Sequence, residues 1–207
     1  MARNKVGAGI FILSAWLILA ANSLAQEQTP APLYREGDVW VFNVADKGLT
    51  QSTKGLDGNY KVVYKGSKFT VGFPGREKPP TKLDLSELRR MLDEPNEKKQ
   101  LLQFPLYVGK KWTTAYEAED ASSRVIRRNG ETNVTGTEQI STPAGTFRVF
   151  KIERYETGIK NKKKGGNERA TYTYYYSPEV RAIVKLSYER EGGGGKNIEL
   201  IKYAPAQ

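Results

Sequence analysis

Runs rich in β-branched and aromatic residues recur along this chain, and turn residues interrupt them too often for long helices. From residue 38 onward the chain reads DVWVFNV (38–44), NYKVVYKGSKFTV (59–71), SRVIRRNGETNVT (123–135), STPAGTFRVFKIERY (141–155), ATYTYYYSPEVRAIVKLSYE (170–189) and NIELIKY (197–203). Glycine, proline and asparagine sit between or inside these runs, as hairpin connections require. The pattern predicts a mainly β fold: a single antiparallel curved sheet or partial barrel over residues 34–207, with one short helix. That helix is expected in LDLSELRRMLDEP, where Leu85, Leu88 and Leu92 fall on one face. Asp84 is placed to cap its start, and Pro95 lies just beyond its end.

Two turn signals carry register information. Asn129-Gly130 is the dipeptide of a tight hairpin, because both of its central positions take positive φ. In Thr142-Pro143-Ala144-Gly145, proline presets one turn position and Gly145 supplies a left-handed residue. A three-residue loop there would pair Thr142 with Thr146. It would put Glu138, Ile140, Arg148, Phe150 and Ile152 on one face and Gln139, Ser141, Phe147 and Val149 on the other. Both faces are then partly apolar, which suits a sheet packed on one side and facing a groove or helix on the other. Residues 157–169 and 190–196 are expected to be polar loops. The latter, REGGGGK, does not match a phosphate-binding loop, because Arg190 and Asn197 replace the required glycine and hydroxyl residue.

The first 25 residues have the three-part layout of a secretory signal peptide. Arg3 and Lys5 precede an apolar run from Ala8 to Ala21, and Ser23 and Ala25 are the small residues before a cut at Gln26. The apolar run is shorter than the ~20 residues that a membrane-spanning helix needs. Residues 26–33, QEQTPAPL, read as a linker. The expected location is therefore exported, periplasmic or extracellular. The chain has no cysteine and no histidine. Export without cysteine means a fold standing on packing and hydrogen bonds, without disulfides. The two absences remove the usual zinc, copper and haem ligands and the Ser-His and Cys-His nucleophilic dyads. No metal or other cofactor is expected.

A weak internal repeat links LYREGDVW (33–40) to LYVGKKW (106–112), each placing a tryptophan three residues after a glycine. Trp40 and Trp112 are read as core anchors, or as walls of a ligand groove. The Gly-x-x-Trp element, TGTEQISTPAGTFRVFKI and TYTYYYSPEVRAIVK together resemble a group of bacterial secreted proteins that includes the TapB-like proteins. The similarity covers about residues 104–188, with an echo at 34–42. It implies an exported β-rich domain and no particular activity. This chain has tyrosine near 174 or 175 where the group has tryptophan, and Arg181 where the group has glycine.

Tyr172, Tyr174 and Tyr176 project to one side of a strand. They are candidate ligand-binding residues together with Trp40 and Trp112, and packing is the competing use. Lys160, Lys162, Lys163 and Lys164, with Arg124, Arg127 and Arg128, could meet an acidic surface such as anionic lipid or cell-wall polymer, in a chain of formal net charge +10. The same charges also serve to keep strands soluble. No nucleic-acid partner is expected. Glu138 is either an inward carboxylate of catalytic use or the partner of Arg148 across the hairpin. The expected function is a non-enzymatic envelope or extracellular protein that binds a hydrophobic or polymeric ligand or a partner protein. The alternatives are a carboxylate-dependent hydrolase of envelope polymers and a structural subunit of a surface assembly. Intact-mass measurement of protein extracted from its host should give a chain starting at Gln26; a mass retaining residues 1–25 would establish an anchor instead.

Overall fold

The computed structural model describes residues 27–46, 57–75, 88, 91–92, 101–119, 125–159 and 167–207. They form one nine-stranded antiparallel sheet. Its strands are β1 (Val39–Asp46), β2 (Gly58–Lys65), β3 (Lys68–Gly72), β4 (Lys111–Glu119), β5 (Val125–Thr142), β6 (Gly145–Ile159), β7 (Asn167–Ser177), β8 (Ala182–Arg190) and β9 (Gly195–Ala204). Their order is β3-β2-β1-β9-β8-β7-β6-β5-β4. All neighbours are consecutive in sequence except β1 and β9, which join the two halves of the sheet. Strands β5 and β9 stand four places apart in that order, yet some of their Cα atoms come within 8 Å. The sheet is therefore strongly curved. Register shifts between Val41 and Phe42, Val134 and Gly136, and Tyr175 and Tyr176 add the local twist that such curvature needs.

The inner face follows from the register, because directly opposed residues share a face. Val134, Ile152, Tyr174, Leu186, Ile198 and Val44 form one transverse row. All six are buried. Trp40, Phe42, Tyr60, Val62 and Phe69 extend the apolar layer across β1–β3, and Leu88, Met91, Leu92, Leu101, Leu102 and Leu106 join it from outside the strands. Full burial of an aliphatic or phenyl side chain contributes roughly 1.5–3 kcal/mol. Side chains such as Phe42, Ile152 and Ile183 thus supply the main driving force of a chain without disulfides.

At one end of the sheet, a buried ion pair ties three distant segments together. Asp38 is fully buried, and its carboxylate accepts from Arg181 Nη2 at 2.8–2.9 Å, from the Arg35 amide at 2.7 Å and from the Ala206 amide at 3.0 Å. Arg181 also donates to the Leu33 carbonyl and the Tyr203 hydroxyl. Arg181 sits at φ +57° in the turn joining β7 to β8, a region that favours glycine. The Trp40 indole donates to the carbonyl of Val180 in the same turn at 2.8 Å.

The curved antiparallel sheet is the expected fold, with several local differences. Asn129-Gly130 is not a turn but lies inside β5, which continues to Thr142. The Pro143-Ala144 loop has two residues: Thr142 pairs with Gly145, Ile140 with Phe147 and Glu138 with Val149. This moves every pairing of the hairpin by one residue. Gly145 does take positive φ, at +141°. The polar loop expected over 157–169 is shorter at both ends, beginning later and ending earlier, since β6 runs to Ile159 and β7 starts at Asn167. Within the segment read as a linker, Thr29 is buried and exchanges two backbone hydrogen bonds of 2.8 Å with Leu106. Leu88 and Met91 have helical backbone, while Asp84, Leu85 and Pro95 of the expected helix lie outside the described residues, as do residues 1–25.

Replacing Arg181 with glycine should destabilise the protein despite relieving its backbone. The relief is of order 1 kcal/mol, whereas a broken buried ion pair costs about 3–5 kcal/mol. Denaturant unfolding should show a net loss of about 2 kcal/mol or more. A midpoint equal to or above that of the unaltered protein would show the ion pair to be dispensable.

Candidate functional site

The inner face becomes steadily more polar toward the start of β5. Beside the apolar row lies the row Trp112, Thr132, Arg154, Tyr172, Tyr188 and Lys196. The next carries Thr114, Gly130 and Glu156, and the next Tyr116 and Arg128. Arg154 and Glu156 are buried because β6 gives alternate residues to the inside, in phase with Ile152. Arg154 donates to Thr132 Oγ1 at 3.1 Å, Thr114 Oγ1 at 2.8 Å and Glu156 Oε2 at 3.2 Å. Glu156 also accepts from Tyr116 at 2.9 Å and from Arg128 at 3.0 Å. Burial pulls the Arg128 guanidinium down, but attraction to Glu156 and their hydrogen bond, with smaller help from Tyr116 and Tyr172, leave it above its ordinary value.

Gly130 explains how this cluster fits. A Cβ there would lie 2.0 Å from Arg154 Nη2, so the guanidinium occupies the space that a side chain would fill. The asparagine-glycine signal thus marks a close approach across the sheet, not a hairpin. Glu156 bonds to Tyr116, Arg128 and Arg154 within the cluster, and the arrangement binds β4, β5 and β6 to one another.

The five aromatic candidates all lie in the core. Trp40 is 0%, Tyr176 1%, Tyr174 2%, and Tyr172 and Trp112 8% exposed. The three tyrosines do share a face, but it is the buried face, with Tyr172 stacked on Tyr174 at 5.7 Å and tilted against Tyr188 at 4.7 Å. None of the five lines the cavity formed by Glu27, the β5–β6 hairpin and the β7–β8 turn. Glu138 is exposed, opposite Val149, and Arg148 instead meets Glu27 in an exposed ion pair. Lys160, Lys162, Lys163, Lys164 and Arg124 lie outside the described residues. Among the described residues, no group of three or more acidic residues could hold a metal ion.

A cavity of about 200 Å³ lies where three segments meet: Glu27 near the start of the described chain, Thr137 and Arg148–Phe150 of the β5–β6 hairpin, and Pro178-Glu179 of the β7–β8 turn. Val149, Phe150 and Pro178 give it an apolar interior, and Glu27, Thr137, Arg148 and Glu179 surround that interior with polar groups. The hairpin is held in part by a Ser141–Thr146 hydroxyl contact of 2.9 Å, and the turn by the Asp38–Arg181 pair. An apolar pocket with a few polar groups is suited to holding a small ligand by shape and orienting it by charge. The alternation of Ile152, Arg154 and Glu156 could have revealed the polar cluster. Nothing in the sequence brings Glu27 or Glu179 to the hairpin, because Glu27 lies more than a hundred residues from Arg148 and Glu179 reaches the hairpin only through the curvature of the folded sheet.

No protein-family model and no curated protein matches the chain. Among solved structures it is similar to a candidate lipoprotein from Parabacteroides distasonis, with 16% identity and a TM-score of 0.45 over 86% of this chain and 100% of that one. It is also similar to the hypothetical lipoprotein YmcC from Escherichia coli, with 12% identity and a TM-score of 0.43 over 82% of this chain and 86% of that one. A third likeness is to a candidate exported protein with a YmcC-like fold from Bacteroides fragilis, with 12% identity and a TM-score of 0.36 over 86% of this chain and 100% of that one.

Gly130→Ala should destabilise the protein by about 2–4 kcal/mol, because the methyl group displaces a buried guanidinium from its partners. Adding Arg154→Met should recover part of that loss. Thermal unfolding of the two variants checks this, and a harmless single substitution would refute the close approach.

Proposed function

We propose that this chain is an exported, non-enzymatic envelope or extracellular protein that holds a small apolar group in the cavity between the β5–β6 hairpin and the β7–β8 turn. The observation carrying this reading is the cavity, with Val149, Phe150 and Pro178 inside and charged side chains around them. The signal-like leader supports export. The buried carboxylates support binding over hydrolysis: Asp38 and Glu156 each accept several hydrogen bonds from fixed donors and are committed to holding the fold. Glu138, the acid singled out from sequence, faces solvent on the hairpin.

The reading is tested by closing the cavity from its polar side. Thr137 is exposed and lines the cavity, so a tryptophan there should fill it without disturbing the core. The Thr137→Trp protein should keep its melting temperature and bind the neutral apolar dye Nile red at least about ten-fold more weakly than the unaltered protein, corresponding to about 1.4 kcal/mol. Equal dye binding by the two proteins would move the ligand site elsewhere.

A further inference from the structure

The cavity carries a charge that none of the described residues pairs with. Its lining holds two carboxylates and one guanidinium. Arg148 is committed to Glu27, in a pair whose side chains are 63% and 50% exposed. Glu179 is exposed on the β7–β8 turn and has no ion-pair or hydrogen-bond partner among the described residues. The lining therefore presents one net negative charge next to an apolar interior.

We propose that the cavity selects a small molecule with an aliphatic body and a primary ammonium head, the head sitting at Glu179. This rests on the binding reading above and adds the chemistry of the ligand. A carboxylate head would have to displace Glu27 from Arg148 and would then face two uncompensated carboxylates. An ammonium head displaces nothing and neutralises the uncommitted charge. A primary ammonium has three donors, which Glu179 and the Thr137 hydroxyl can accept. A quaternary head is recognised by a cage of several aromatic rings, and this lining has only Phe150. The volume sets the body: about 200 Å³ exceeds the ~150 Å³ of an engineered apolar cavity that takes up benzene. A six-carbon chain is of suitable size.

The test is an amide chemical-shift titration of the full mature chain with hexylammonium, hexanoate and hexanol. Hexylammonium should bind tightest and shift the amides of Val149, Phe150 and Glu179. Glu179→Gln should weaken it about two- to five-fold, the range of an exposed ion pair. Arg148→Gln, which frees Glu27, should tighten it by a similar factor. Both positions are exposed, so neither substitution endangers folding. If hexanoate binds tighter than hexylammonium, or if Glu179→Gln changes nothing, the ammonium inference fails while binding in the cavity stands. If none of the three probes shifts Val149, Phe150 or Glu179, both the inference and the cavity reading fail.

Discussion

The ion pair between Asp38 and Arg181 fixes the geometry on which the rest depends. Asp38 directly precedes the first strand, Arg181 stands in the turn between β7 and β8, and the same two side chains hold Leu33, Tyr203 and Ala206. The approach to β1, the β7–β8 turn and the C-terminal segment thus meet at one buried carboxylate. An arginine at positive φ is unfavourable by itself. It persists here because glycine, which relaxes the backbone, offers no cation to a carboxylate already removed from water. The indole of Trp40, bonded to the Val180 carbonyl, fixes the same turn from the core side. Pro178 and Glu179 precede these anchored residues directly, so the anchoring of the turn also sets one wall of the cavity.

A second polar lock stands at the opposite end of the same face. Arg154, Glu156 and Arg128 would be costly inside a sheet if any of them lacked a partner. Their bonds run to Thr114, Thr132 and Tyr116, so strands β4, β5 and β6 are held by side chains as well as by their backbone ladders. Two arginines over one glutamate fit together only because Gly130 leaves space for a guanidinium. Between the two locks runs the row from Val134 to Val44, which contributes apolar burial and no directional constraint. The middle of the sheet supplies stability, and its ends supply the strand alignment.

That arrangement also accounts for where a ligand can go. The aromatic side chains are consumed by the interior of the curved sheet, since Tyr172, Tyr174, Tyr176, Trp40 and Trp112 all belong to its buried layer. A cavity arises at a junction, where the middle of the β5–β6 hairpin, the β7–β8 turn and Glu27 approach without filling the gap between them. Charges at such a junction are exposed and modest in energy. In the proposed binding role such charges would orient a ligand more than retain it, and the apolar walls would supply most of the affinity.

The sequence alone determined the fold class. Alternation of β-branched and aromatic residues, with glycine and proline between the runs, leaves an antiparallel sheet as the way to bury these side chains, and it put Tyr172, Tyr174 and Tyr176 on one face. Gly66 and Pro178 also fall in the turns observed at 66–67 and 178–181, because turns depend on residues adjacent in the chain. The sequence left open which face is covered, and so the aromatic stripe read equally as core or groove. It misplaced Asn129-Gly130 as a turn, since the reason for that glycine is a guanidinium 24 residues away on the next strand. The cavity, and the carboxylate of Glu179 that has no partner among the described residues, were decided by tertiary structure alone. Local preferences act over a few residues, whereas Glu27, Arg148 and Glu179 meet only after the curved sheet has brought three remote segments together.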